Sequence, residues 1–187
     1  MKTVQEIVEQ AMSVRPLTEI NERECVAKWA MQVRPHGLIV EIGALYGGMT
    51  AVLGLAAPQA KIISIDDFSW HPADDIKTSA ELLYANMEKV GVTNVKVLEG
   101  DSRILGLDWD IDQHHIDFVF IDGGHSYDWV ISDLMLFGSK ARVIALHDYG
   151  NEFWASIKQA VDDFLRFTAG AFVLEEVVGT IAILRRA

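Results

Sequence analysis

The chain has 187 residues, half of them hydrophobic, which is enough for one domain with a real core and excludes a disordered chain. Its 16 basic and 27 acidic residues leave a net charge of −11, a field that repels phosphate backbones and argues against nucleic acid as a partner. The single cysteine, Cys25, excludes an internal disulfide and suits a reducing cytoplasm; Met1 to Ser13 carries acids at helical spacing rather than a basic start and an apolar core, so a signal peptide is not expected there, and no apolar run approaches the ~20 residues of a membrane span.

No repeat, low-complexity tract or linker divides the sequence. One domain over 1–187 is expected, with an N-terminal helical segment over 1–36 and a cofactor-binding core over 37–187. Val4, Ile7, Val8, Ala11 and Met12 share one helical face, and Arg15-Pro16 ends that helix. A second helix is expected over 18–33, capped by Thr18, closed by Pro35 and Gly37, and apolar at Ile20, Val26, Trp29, Ala30 and Val33. Short apolar runs then alternate with helical segments. The runs at 38–42, 61–65, 95–98, 118–121 and 143–146 read as strands 1 to 5, and 47–57, 79–90, 127–137 and 153–167 as helices. The runs 172–178 and 181–184 flank Gly179-Thr180 and read as a hairpin. Such alternation, with near-continuous apolar strands, implies an α/β fold: a doubly wound, mostly parallel sheet covered on both faces, to which the hairpin adds one antiparallel strand.

In such sheets ligands bind at the C-terminal strand ends, and the informative polar residues fall there. Strand 4 runs into Asp122-Gly-Gly-His125 and strand 5 into His147-Asp148. If the two strands are neighbours, Asp122, His125, His147 and Asp148 form one cluster of oxygen and nitrogen donors, where a metal ion and a reacting hydroxyl can meet. Strand 1 runs into a glycine turn over 41–50, whose spacing is Gly, three residues, Gly. The glycines let a ligand approach the backbone and the next helix offers free N–H groups; a plain strand-to-helix connection is the alternative. The Gly-x-Gly-x-x-Gly of a nicotinamide-binding oxidoreductase, the rival enzyme class, is missing. Asp66, with Asp67 behind it, ends strand 2, where a carboxylate can accept both hydroxyls of a ribose. Asp101 and Ser102 follow strand 3, where they can hydrogen-bond an adenine edge. Any one of these acids alone can equally be a helix cap or a solvated loop residue.

Taken together, the stretch 40–50, Ile65-Asp66, Glu99-Gly-Asp-Ser102 and 120–127 resemble the class I S-adenosylmethionine-dependent methyltransferases. Within them the likeness is to the small O-methyltransferase group that includes macrocin-type sugar and catechol-type enzymes, and it runs from about Glu22 to the C-terminus. The resemblance implies a Rossmann-like sheet of seven strands with the last antiparallel. It implies S-adenosylmethionine as cofactor, with the loop of Glu41, Gly43, Ala44, Tyr46, Gly47 and Thr50 around its methionine part. Asp66 and Asp67 then lie at the ribose, Asp101 and Ser102 at the adenine, and Asp122 beside the reacting end.

In the metal-dependent catechol-type relatives, an acid after strand 4 and an adjacent pair after strand 5 hold a divalent metal. By position these are Asp122, His147 and Asp148. Those relatives carry an acid where this chain has His147, so the choice between Mg²⁺ and Mn²⁺ is open, and His147 can instead be an outer-shell or substrate contact. A lysine base stands in the relatives where this chain has His125, whose ordinary pKa of about 6.5 suits a proton acceptor near neutrality. His125 as a metal ligand or a structural histidine are the alternatives. Trp70, His71, Tyr149 and Trp154 are candidates for the wall of the acceptor pocket or for core, while Trp29 and Trp129 read as packing and His114-His115 as a solvated loop. The expected activity is methyl transfer to a hydroxyl of a small sugar-like or phenolic acceptor, in the cytoplasm. With only 37 residues before strand 1, a partner subunit can supply the missing acceptor wall, which makes a homodimer an expectation. A non-catalytic partner protein that keeps only the cofactor pocket is the rival outside catalysis.

Overall fold

In the computed structural model, residues 2–15, 17–72, 77–108 and 115–187 are described. Trp109 and His114 lie outside them, as does part of the expected loop after strand 2. Seven strands form one sheet: β1 (Leu38–Ile42), β2 (Lys61–Asp66), β3 (Val95–Glu99), β4 (Ile116–Ile121), β5 (Ala141–Leu146), β6 (Phe172–Val178) and β7 (Ile181–Arg186). Their order across the sheet is β3-β2-β1-β4-β5-β7-β6. The first five are parallel, and β7 lies antiparallel between β5 and β6. From β1 the chain winds outward to β3 and then returns to β4 on the other side. The switch point, where ligands gather in open sheets, is therefore the gap between β1 and β4.

Among the described residues, seven α-helices cover the sheet: α1 (Val4–Ala11), α2 (Ile20–Ala30), α3 (Gly48–Ala56), α4 (Ala80–Val90), α5 (Ser102–Asp108), α6 (Tyr127–Leu136) and α7 (Ala155–Phe167). Successive strand residues point to opposite faces, so each strand feeds two cores. Ile39, Ile62, Phe118 and Phe120 pack with α1 to α4, while Val40, Ile65, Val119 and Ile144 pack with α6 and α7. Double burial leaves every residue of β1 and β4 buried, Glu41 and Asp117 included.

Several boundaries differ from the sequence reading: α2 ends at Ala30 rather than at 33, β4 and β5 each begin two residues earlier, and β7 runs on to Arg186. α2 starts at Ile20 rather than after Thr18, because the Glu22 carboxylate accepts the Glu19 N–H (2.9 Å) and Thr18 is occupied in accepting Arg23 Nε (3.1 Å to its carbonyl, 3.2 Å to its hydroxyl). The segment expected to run helically from 153 opens with a 3-10 turn, Glu152–Trp154, before α7 begins at Ala155. α5 was not expected: it is short, and its two-turn length leaves no readable period.

Candidate active site

The loop after β1 is pressed against the end of β4. Gly43 has φ +87°, and a Cβ there would lie 2.0 Å from the backbone oxygen of Asp122, so only glycine permits this approach. Beneath the loop Glu41 is fully buried, its Oε2 accepting Thr50 Oγ1 and Ser64 Oγ, each at 2.6 Å, while Oε1 has no partner. Burial pushes this carboxyl up to about 7, against the two hydroxyl donors. Above it Asp66 uses both oxygens to fix the walls of the crevice, accepting Leu45 N–H and Phe68 N–H at 2.7 Å each. Burial outweighs those donors, and its pKa is raised.

A cavity of about 680 Å³ opens at this edge, within the range of roughly 300–1,000 Å³ typical of small-molecule sites. It is bordered by the segments following β1, β2, β3, β4 and β5. Gly43, Ala44, Tyr46, Asp66, Asp67, Asp101, Ser102, Asp122, His125, His147 and Asp148 all line it. Glu41, Gly47 and Thr50 do not: the first and last are engaged with each other under the loop rather than facing the cavity. Asp101 faces it with its carboxylate engaged, accepting Arg103 Nε at 3.0 Å and Nη2 at 2.6 Å. Ser102 donates to Asp133 Oδ1 at 2.7 Å. Trp129, expected as packing, lines the cavity and carries the Arg103 guanidinium 3.4 Å above its ring. No local pattern marks this stack, since α5 and α6 bring the two residues together from 26 positions apart.

At the other end of the cavity the two strand ends converge as expected. The His147 N–H donates to the Ile121 carbonyl at 3.0 Å and so continues the β4–β5 pairing by one residue. Asp148 then turns with φ +60°, and Asn151 Nδ2 donates to its Oδ1 at 2.8 Å. Its Oδ2 is left facing His125 Nε2 (3.4 Å) and His147 Nδ1 (3.3 Å). Asp122 Oδ1 faces the same two nitrogens, at 3.7 Å and 3.2 Å. Both nitrogens are buried, and neither has a partner in hydrogen-bond geometry. Asp122, His125 and Asp148 bring one donor atom each within 4.8 Å of one another.

Burial disfavours a charge on His147, but the carboxylates of Asp122, Asp148 and Glu22 outweigh it and push the imidazole up to about 12. The Asp122 carboxylate likewise raises His125 above its ordinary value, against burial. The Trp154 ring lies 4.8 Å from the His125 ring, and Trp70 also lines the cavity. His71 instead pairs with Thr78 Oγ1 at 2.8 Å, Tyr149 packs in the core beside α7, and Trp29 donates to Glu176 at 2.7 Å. His115 is exposed. One participant was not visible in the sequence: Glu22 on α2, whose Oε2 lies 3.4 Å from His147 Nε2.

The seven-stranded order and the acid-lined crevice at its switch point agree with the class I methyltransferase fold that the sequence resembles. The family of methyltransferase domains matches residues 40–149, more than half of the chain, and the chain belongs to that family. No curated protein sequence matches it. Among solved structures it is similar in fold to the calicheamicin methyltransferase CalS11, with a TM-score of 0.65 at 16% identity over 97% of this chain and 90% of that one. The O-methyltransferase NovP gives 0.68 at 16% identity over 90% and 80%. TomG, an O-methyltransferase of tomaymycin synthesis from Streptomyces achromogenes solved with S-adenosylmethionine, gives 0.67 at 17% identity over 100% and 91%. Among the described residues, no helix is long and apolar enough to cross a membrane.

Proposed function

We propose that this chain is an S-adenosylmethionine-dependent O-methyltransferase acting on a hydroxyl of a small sugar-like or phenolic acceptor, with help from a divalent cation. The observation that carries the reading is that one cavity joins the acids after β2 and β3 to the histidine–carboxylate cluster after β4 and β5. S-adenosylmethionine supplies the methyl group from its sulfonium. The loop of Gly43, Ala44 and Tyr46 would border its methionine part, Asp66 and Asp67 its ribose, and Ser102 and Trp129 its adenine, since all of them line the cavity.

The residues at the acceptor end fit a divalent cation: two carboxylates and two unpartnered imidazole nitrogens turned toward one another, in a pocket that otherwise draws a proton onto His147. Asp122, His147 and Asp148 would hold the ion, and nitrogen in the set suits Mn²⁺ or a similar transition ion better than Mg²⁺. Bound there, it would lower the pKa of the acceptor hydroxyl and orient it. His125 takes the hydroxyl proton on Nε2, with Trp154 packed against the ring to fix its plane. The freed oxygen attacks the methyl carbon in line as the carbon–sulfur bond breaks, leaving S-adenosylhomocysteine. The sugar-like acceptor gains support from a second structure of CalS11, described as a TDP-rhamnose 3'-O-methyltransferase and similar to this chain with a TM-score of 0.60 at 17% identity. Calorimetric titration with S-adenosylhomocysteine tests the reading. Binding in the micromolar range is expected, and no heat at millimolar ligand would remove it.

A further inference from the structure

A buried carboxylate from the N-terminal helices reaches the acceptor end of the cavity. Glu22 is 3% exposed and lies between α2, the β6–β7 turn and the end of β5. Its Oε1 accepts the Thr180 N–H at 2.7 Å and the Thr180 hydroxyl at 2.8 Å. Its Oε2 accepts the Glu19 N–H at 2.9 Å and lies 3.4 Å from His147 Nε2. The turn is shaped for this side chain. Gly179 has φ +59°, and a Cβ there would come within 2.6 Å of Glu22 Oε1. The carboxylate is therefore held from two sides before any ligand arrives.

We propose that Glu22 is a positioning residue for His147: it grips the imidazole by Nε2–H and so turns Nδ1 toward Asp122 and Asp148. The inference rests on the reading of the acceptor end given above and adds to it a residue that touches neither acceptor nor cofactor. A carboxylate has no proton to give, so the ring nitrogen facing it keeps its own. With Nε2 turned to Glu22, Nδ1 is the nitrogen that meets the cavity, 3.2 Å and 3.3 Å from the two strand-end carboxylates. A carboxylate behind a ligating histidine fixes both its tautomer and its ring plane. Where the relatives resembled by this sequence place an acid, this chain thus places a histidine backed by an acid.

The full chain, labelled with ¹⁵N-histidine, provides the test without cofactor or acceptor. In the wild type the His147 Nε2–H proton, held by Glu22, is expected to be visible and slow to exchange with solvent from pH 6 to 9. In Glu22→Ala that proton is expected to exchange into solvent and be lost from the spectrum, and the dissociation constant for Mn²⁺, read by electron paramagnetic resonance, to rise roughly 10- to 100-fold. Thr180→Val removes one contact to Glu22 but leaves the carboxylate, and both readouts should stay at wild-type values. An unprotonated Nε2 in the wild type overturns the proposal, as does a Glu22→Ala protein with unchanged resonance and affinity. Equal losses in Glu22→Ala and Thr180→Val overturn it too, because they would mark a merely structural anchor. A wild type that binds no Mn²⁺ would instead sink the cation reading, and the Nε2 resonance alone would then decide the role of Glu22.

Discussion

Replacing Glu41 by glutamine should change how stability depends on pH. Glu41 is fully buried, and its carboxyl is pushed from an ordinary 4.5 to about 7, mainly by burial. That gap corresponds to roughly 3 kcal/mol. Below pH 4.5 the group is protonated in both folded and unfolded chains and costs nothing. Between 4.5 and 7 the unfolded chain ionises while the folded chain holds its proton, so the wild type loses stability as pH rises. Above 7 both states are ionised and the whole cost is present. Glutamine cannot ionise, and its carbonyl can still accept Thr50 and Ser64 at the position of Oε2. Its amide nitrogen then stands where Oε1 has no partner, at a cost of about 1–3 kcal/mol at every pH. The stability of Glu41→Gln relative to wild type should therefore improve by about 3 kcal/mol between pH 4 and pH 8. Urea unfolding of both proteins at these two pH values measures it as a shift in midpoint at constant slope. Parallel pH profiles for the two proteins would refute the argument and show that the carboxyl ionises inside the fold at no cost.

The remaining predictions concern the cavity. Chelation should lower turnover at least tenfold, and Mn²⁺ should restore it better than Mg²⁺; turnover that ignores the chelator removes the cation from the mechanism. Gly43→Ala must displace the loop by about 1 Å or more to relieve its contact with the Asp122 backbone, so affinity for S-adenosylhomocysteine should fall more than tenfold in calorimetry. Trp154→Ala frees the His125 ring while leaving the cofactor end intact. Steady-state kinetics should then give roughly a tenfold lower kcat with unchanged S-adenosylhomocysteine binding; a loss of cofactor affinity would contradict the division of the cavity.

Most of the frame was legible because period and punctuation agree. Val40 and Ile42 alternate with Ile39 in facing the two cores, Ser79 caps α4 and Gly91 ends it, and Gly179-Thr180 turns the hairpin. The strand-end polar residues were legible for the same reason, since a polar residue that interrupts a buried strand has few other uses. Orientation was not. Glu41 belongs to β1, and only the fold reveals that Thr50 and Ser64 claim its carboxylate below the loop. Asp101 stands at the expected edge, yet Arg103, two residues on, takes up both its oxygens. Glu22 reads as one of several acids on a mixed helix. Its partners lie 125 and 158 positions away, beyond any local pattern.

Those separations have a consequence for how the protein comes into being. The cofactor half of the cavity is drawn from the stretch between β1 and the first turn of α6 and is spelled out once Trp129 has left the ribosome. The acceptor half waits for the β6–β7 hairpin, because His147 is gripped by Glu22 and Glu22 by Thr180. Contacts of such long range form late and give way early. A chain whose hairpin has not closed therefore lacks the Thr180 hold on Glu22, and with it the grip on His147. Closing the hairpin couples completion of the fold to competence for transfer.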